Sequence, residues 1–174
     1  TILAASKPLF FGRSERVKKL AFLVAKELKL AEDWRLELAS TFSHLGYLTL
    51  PDEVQEKLYN HEDLPEEIMA VVKVFPNFAN GILKGIPRLD EITPIIDLID
   101  QDYKESSSSD DVSAKLASLI RLAKHYERYA SDGYSRADIF GILDKNPKIY
   151  LPGALEALRK IKDYSKGEAE IEEV

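Results

Sequence analysis

Apolar residues recur along most of the chain at the three-to-four-residue spacing that is typical of amphipathic helices. One helical face carries Val17, Leu20 and Val24. This spacing predicts a first helix from about Arg13 to Leu28. Apolar and polar residues nowhere alternate for long enough to indicate a strand. The pattern therefore predicts an all-α protein.

The same spacing predicts the remaining helices. They are expected over residues 32–45, 51–58, 64–83, 89–103, 112–129, 135–143 and 152–164. Pro76 is expected to kink or split the helix that contains it, because proline donates no backbone hydrogen bond and clashes with the preceding turn. The prediction is a single bundle of seven or eight helices.

The chain divides into a helical domain, residues 12–164, and two ends. Residues 1–11 carry five large apolar side chains before the first predicted helix: Ile2, Leu3, Leu9, Phe10 and Phe11. We expect them to form a linker or an interface with a protein partner or a second copy, the alternative being a cap over the bundle core. Residues 165–174 are acidic and are expected to fray. The serine-rich run at residues 105–111 predicts an exposed loop.

Composition excludes several classes of protein. The net charge of −6, from 24 basic and 30 acidic residues, argues against a nucleic-acid binder. The absence of cysteine excludes disulfides, a thiolate nucleophile and cysteine-bound zinc. The longest apolar run, residues 20–25, is far shorter than the roughly 20 residues of a membrane span. We expect a soluble cytoplasmic domain excised from a longer protein.

Candidate metal ligands are sparse. None of the three histidines lies three or four residues from another: His44, His61 and His125. His44 lies near the end of the second predicted helix, where a histidine interacts favourably with the helix dipole. Asp97 and Asp100 are three residues apart, and Asp90 lies seven residues before Asp97, so the three approach one helix face. This arrangement fits either a cation site or a solvent-facing stripe.

Four segments, in order, resemble motifs of one known family. Residues 12–17 read Gly-Arg-Ser-Glu-Arg-Val, and the family motif is Gly-His-Ser-Glu-Arg-Val. Residues 42–54 contain Ser-His-Leu-Gly-Tyr-Leu-Thr-Leu-Pro-Asp-Glu-Val, and the family motif is His-Asp-Ile-Gly-Lys-Ile-Gly-Ile-Pro-Asp-Glu-Val. Residues 74–83 resemble a His-Pro segment, and residues 146–158 resemble a closing Phe-Asp-Pro segment. Together they resemble the HD-GYP branch of the HD-domain phosphohydrolases over almost the whole chain.

The resemblance implies a helical HD-domain bundle in which the metal-dependent phosphodiesterase site has been lost. The family's metal-ligand positions correspond here to Arg13, Ser43, His44, Phe75, Ile99, Asp100 and Lys124. Phenylalanine and isoleucine cannot bind a metal, and arginine or lysine places positive charge in a cation site. The Gly-Tyr-Pro motif is replaced by the serine run. We therefore expect no catalytic residue, no metal and no cofactor.

The implied function is a non-catalytic output module of a bacterial two-component or related regulator. It would act through a protein partner or as a homodimer, with a receiver or sensor domain upstream. One alternative is a pseudo-enzyme that binds cyclic di-GMP, with Arg13, Arg121 and Lys124 contacting the phosphates. The other is an active metal-dependent phosphodiesterase whose ligands lie at other positions.

Two structural expectations accompany the resemblance. Arg16 should pair with an acidic residue on a neighbouring helix. If Arg13 and Lys124 converge with Asp100, a salt-bridge cluster would stand where the family holds its metals.

Overall fold

The computed structural model describes residues 8–44, 50–60, 62–104 and 111–161. Only the backbone is described for residues 8–11, 59, 73, 75–79 and 82. The helices are α1 (Pro8–Glu27), α2 (Trp34–Phe42), α3 (Asp52–Tyr59), α4 (Glu66–Leu83), α5 (Thr93–Leu98), α6 (Val112–Ser131), α7 (Arg136–Leu143) and α8 (Ala154–Lys160). Short 3₁₀ turns occupy Asp90–Ile92 and Pro147–Ile149. The described ranges hold eight α-helices and no strand, so the all-α bundle is confirmed.

The two longest helices, α1 and α6, pack against each other at the centre of the bundle. Their contact buries Val17, Leu20 and Val24 of α1 completely, together with Leu119 and Ile120 of α6. Each large apolar side chain removed from water in this way contributes roughly 1.5–3 kcal/mol. The apolar face predicted for the first helix is therefore its core face.

The first helix begins earlier than the sequence pattern predicted. It starts at Pro8 and not near Arg13, so the backbone of Leu9, Phe10 and Phe11 belongs to α1. The expectation that these three residues precede the first helix is wrong. Proline is well tolerated in the first turn of a helix, where its missing N–H has no partner to lose.

Two other helices differ from the sequence-based prediction. Helix α4 continues through Pro76, so the predicted split is wrong. The missing hydrogen bond is local, and propagation on both sides of the proline keeps the helix continuous. The helix predicted over residues 89–103 corresponds to the shorter α5. A 3₁₀ turn precedes α5, and the helix ends at Leu98.

An ion pair ties α1 to α6. Arg16 Nε donates to Glu127 Oε1 at 2.5 Å, and Ser131 Oγ donates to the same oxygen at 3.1 Å. Only 4% of the Glu127 side chain is exposed. A carboxylate buried to that extent is costly without a partner, so this pair constrains how the two helices align. The expectation that Arg16 pairs with a neighbouring helix is confirmed.

Several expectations fall outside the described residues. They concern Ile2, Leu3, His61, most of the serine-rich run and the acidic residues 165–174. Asp111, at the end of the serine-rich run, is described: its side chain accepts a hydrogen bond from the Ala114 backbone at 3.1 Å and caps α6. No helix in the described ranges is long and apolar enough to cross a membrane.

Candidate functional site

The end of α2 carries His44 into the interior. The helix ends at Phe42, Ser43 caps it, and His44 is only 6% exposed. Ser43 Oγ donates to the Ser40 carbonyl at 2.7 Å and lies 3.0 Å from His44 Nδ1. Because the hydroxyl has one proton and gives it to Ser40, His44 must donate from Nδ1. The geometry therefore fixes the tautomer of this ring.

His44 is neutral at physiological pH. Burial holds its pKa well below the usual 6.5, and the positive charges of Lys124 and then Arg13 lower it further. Arg13, on α1, is itself buried, and Lys124 comes from α6. The structure thus brings His44, Arg13 and Lys124 within electrostatic reach of one another.

Two ion pairs extend this positive region along α6. Lys124 Nζ lies 3.3 Å from Asp100 Oδ1, and Arg121 Nη2 lies 2.9 Å from Asp102 Oδ1. The cationic side chains are 18% and 13% exposed, whereas the aspartates are 62% and 59% exposed. Positive charge therefore lies inside and negative charge outside. Pairs with such exposed carboxylates contribute about 1 kcal/mol or less.

His125 is the fifth member of this region, and its partner was not predicted. Its Nδ1 lies 2.6 Å from the Tyr150 hydroxyl. Burial, followed by Arg121 and Lys124, lowers the pKa of His125 to about 4, and burial raises the pKa of Tyr150 to about 12. Since a phenol is a better donor than a neutral imidazole, Tyr150 donates and His125 keeps its proton on Nε2.

We call Arg13, His44, Arg121, Lys124 and His125 the cationic cluster. The spacing of its three α6 members is a signal present in the sequence, because residues three and four apart share a helix face. The contacts of Tyr150 with His125 and of Asp102 with Arg121 could not be predicted from spacing, because each partner comes from another part of the chain.

Arg121 retains unused hydrogen-bonding capacity. Its Nε and Nη1 atoms are buried and, within the described residues, have no hydrogen-bond partner. Only Nη2 contacts Asp102. Leaving buried donors unsatisfied costs about 1–3 kcal/mol and more for charged groups, so these N–H groups favour an acceptor.

These residues do not fit a divalent metal. Nowhere in the described ranges do three or more His, Asp or Glu side chains form a group that could hold one. Arg13 and Lys124 would repel a cation placed beside His44. Ile99 is buried in the apolar core, and the side chain of Phe75 lies outside the described residues.

The aspartates near α5 form no cation site either. Asp97 accepts a hydrogen bond from Asn80 Nδ2, and Asp100 pairs with Lys124. Asp90, Asp97 and Asp100 are all exposed. Their arrangement matches the solvent-facing stripe that the sequence left open as one of two interpretations.

We expect the free energy of unfolding to fall as the pH drops below about 6.5. An unfolded chain protonates its histidines near pH 6.5, whereas folded His44 and His125 remain neutral well below that pH. The unfolded state then binds more protons, so each histidine reduces stability by at most about 1.4 kcal/mol per pH unit. Urea unfolding between about pH 7.5 and about pH 5 measures this loss.

Imidazole nitrogen chemical shifts supply the site-specific check. Near pH 6 they should show a proton on Nδ1 of His44 and on Nε2 of His125. A ring at either position that titrates with an ordinary pKa would contradict the buried, hydrogen-bonded geometry.

Comparison with known proteins identifies the family. A sequence profile described as HD domain matches residues 1–108, more than half of the chain. Neither a curated protein nor a solved structure matches the chain. The matched region ends before α6, so Arg121, Lys124 and His125 lie beyond it. The chain therefore belongs to the HD-domain family, within the metal-dependent phosphohydrolase superfamily.

Proposed function

We propose that this chain is a non-catalytic HD domain that acts by contacting other proteins. The observation that supports this proposal is the positive charge of two side chains close to His44, which disfavours a bound metal. His44 lies within electrostatic reach of Arg13 and Lys124, and Lys124 pairs with Asp100. By the resemblance to HD-GYP domains, positive side chains would occupy positions where a hydrolase of this superfamily needs anionic and neutral ligands.

The chemistry that remains is insufficient for hydrolysis. Metal-dependent phosphodiester hydrolysis relies on bound cations to generate a hydroxide nucleophile and to stabilise charge on the phosphate. Ser43 and His44 do not substitute as a nucleophile and its base. The Ser43 proton is given to the Ser40 carbonyl, so His44 is not positioned to accept it.

The wider role proposed here follows the resemblance to HD-GYP domains. The domain would serve as the output module of a bacterial two-component or related regulator, downstream of a receiver or sensor. The signal would enter through residues 1–11, the last four of which form the start of α1. Because α1 packs on both α2 and α6, a displacement at its start would reach the cationic cluster.

The first prediction from this proposal concerns metals. Purified protein should contain no stoichiometric Fe, Mn or Zn and should not hydrolyse bis(p-nitrophenyl) phosphate or cyclic di-GMP when Mn²⁺ is added. Elemental analysis and product chromatography measure both. About one ion per chain held by His44 or Asp100 would refute the proposal.

A pair of variants serves as the internal control. Replacing both cations, Arg13→His with Lys124→Asp, should raise zinc uptake, because an imidazole at position 13 and that of His44 then stand near the carboxylates at position 124 and of Asp100. Replacing exposed Arg128 on the same helix, Arg128→Asp, should leave zinc uptake at the level of the unaltered protein.

The second prediction concerns association. The full chain should form a dimer, and Ile2→Asp with Leu3→Asp should dissociate it without loss of helical circular dichroism. Light scattering measures the mass, and Ser6→Asp is the matched control within the same segment. A monomer at high concentration that these charges unfold would instead support the cap over the core.

A second candidate function is binding of a cyclic dinucleotide without hydrolysis. The observation that favours it is that Nε and Nη1 of Arg121 have no hydrogen-bond partner among the described residues, since guanidinium N–H groups suit phosphate oxygens. Calorimetry with cyclic di-GMP tests it: binding should be lost in Arg121→Gln and retained in Arg128→Gln. Absence of heat from the unaltered protein would eliminate this candidate.

A further inference from the structure

A concave groove lies away from the cationic cluster, at the other end of α1. Its volume is about 390 Å³, and it is bounded by the second half of α1, the α1–α2 connection and the start of α6. The floor is apolar: Phe22, Leu23, Leu30, Leu36 and Leu116. The rim carries Lys19, Lys26 and Lys29. We call these eight residues the lysine groove.

The charge of the lysine groove is unbalanced. In the described ranges none of its three exposed lysines forms an ion pair, although the chain as a whole is acidic. Two acids also line it: Asp33 is bound by Arg35, and Glu32 offsets only one of the three lysine charges. The dipole of α1 accounts for positive charge at Lys26 and Lys29, but Lys19 is two turns from the helix end.

The spacing of the lysines indicates the kind of occupant. Lys19 and Lys26 are about 10 Å apart along α1, at about 1.5 Å per helical residue, and Lys29 lies beyond the end of the helix. One small anion cannot contact charges so far apart. A peptide with several carboxylates and an apolar anchor matches both the rim and the floor.

We propose that the acidic residues 165–174 of this same chain occupy the lysine groove. This segment reads Ser-Lys-Gly-Glu-Ala-Glu-Ile-Glu-Glu-Val, so four carboxylates accompany Ile171 and Val174. The carboxylates complement the three lysines, and the two apolar side chains fit the leucine-rich floor. None of the groove residues belongs to the cationic cluster, so the proposal does not depend on the proposed function.

The chain is long enough to make this contact. Helix α8 begins beside the end of α1, where a Cβ added to Gly153 would lie 3.3 Å from Leu28 Cδ2. Its seven residues carry the chain about 10 Å to Ile161, the last described residue. The next seven residues, to Glu168, span up to about 25 Å when extended, which covers the return to Leu30.

A spin-label experiment on the full chain tests the proposal. Gly167→Cys creates a single attachment site for a nitroxide, because the chain has no other cysteine. The amide signals of Lys26, Lys29 and Leu30 should lose at least about half their intensity relative to the reduced label. About 0.5 M salt should abolish the loss, since the contact is largely ionic.

Matched variants separate the groove from general charge effects. Lys26→Glu with Lys29→Glu should remove the broadening, whereas Lys84→Glu with Lys145→Glu, two exposed lysines elsewhere, should not. Because reversing charge at a helix end can destabilise the domain, Glu170→Gln with Glu172→Gln and Glu173→Gln supplies a second test. These changes leave the helices intact and should also remove the broadening.

Three outcomes would overturn the proposal. They are the absence of broadening in the unaltered sequence, broadening that persists in both the groove and tail variants, and broadening that arises only between molecules. The last is detected by mixing isotope-labelled chain without nitroxide and unlabelled chain with it. It would assign the groove to the tail of a second copy.

Discussion

The contact between α1 and α6 is the constraint on which the other features depend. It buries the apolar face of α1 and is tied by Arg16 and Glu127. The same two helices carry four members of the cationic cluster: Arg13 on α1, and Arg121, Lys124 and His125 on α6. Farther along, α1 and the start of α6 form two walls of the lysine groove. One packing arrangement therefore fixes the geometry of both surfaces.

The electrostatics of the cationic cluster follow from unequal burial. Sheltering a charge from water costs several kcal/mol unless a partner compensates, and the partners Asp100 and Asp102 remain largely in solvent. The two histidines respond by staying neutral, each with its ring fixed by a hydroxyl group. The cluster thus contains three positive side chains, and the carboxylates that pair with Lys124 and Arg121 lie largely in solvent. This is the opposite of what a divalent cation requires.

The sequence predicted the parts of this structure that depend on local periodicity. The core face of α1, the extent of α6 and the α1 end of the Arg16 ion pair were all accessible in this way. Other features could not be predicted from periodicity. The start of α1 at Pro8 and the continuity of α4 through Pro76 depend on the balance between helix propagation and the local effect of proline. Tyr150 reaches His125 only because the chain folds back after α7.

The positive charge around His44 comes from two different helices. Arg13 belongs to α1 and Lys124 to α6, and both lower the pKa of His44. Changing either one alone leaves the other to repel a cation placed beside His44. The positive potential at this ring is therefore held by two separate helices at once, and no single substitution removes it.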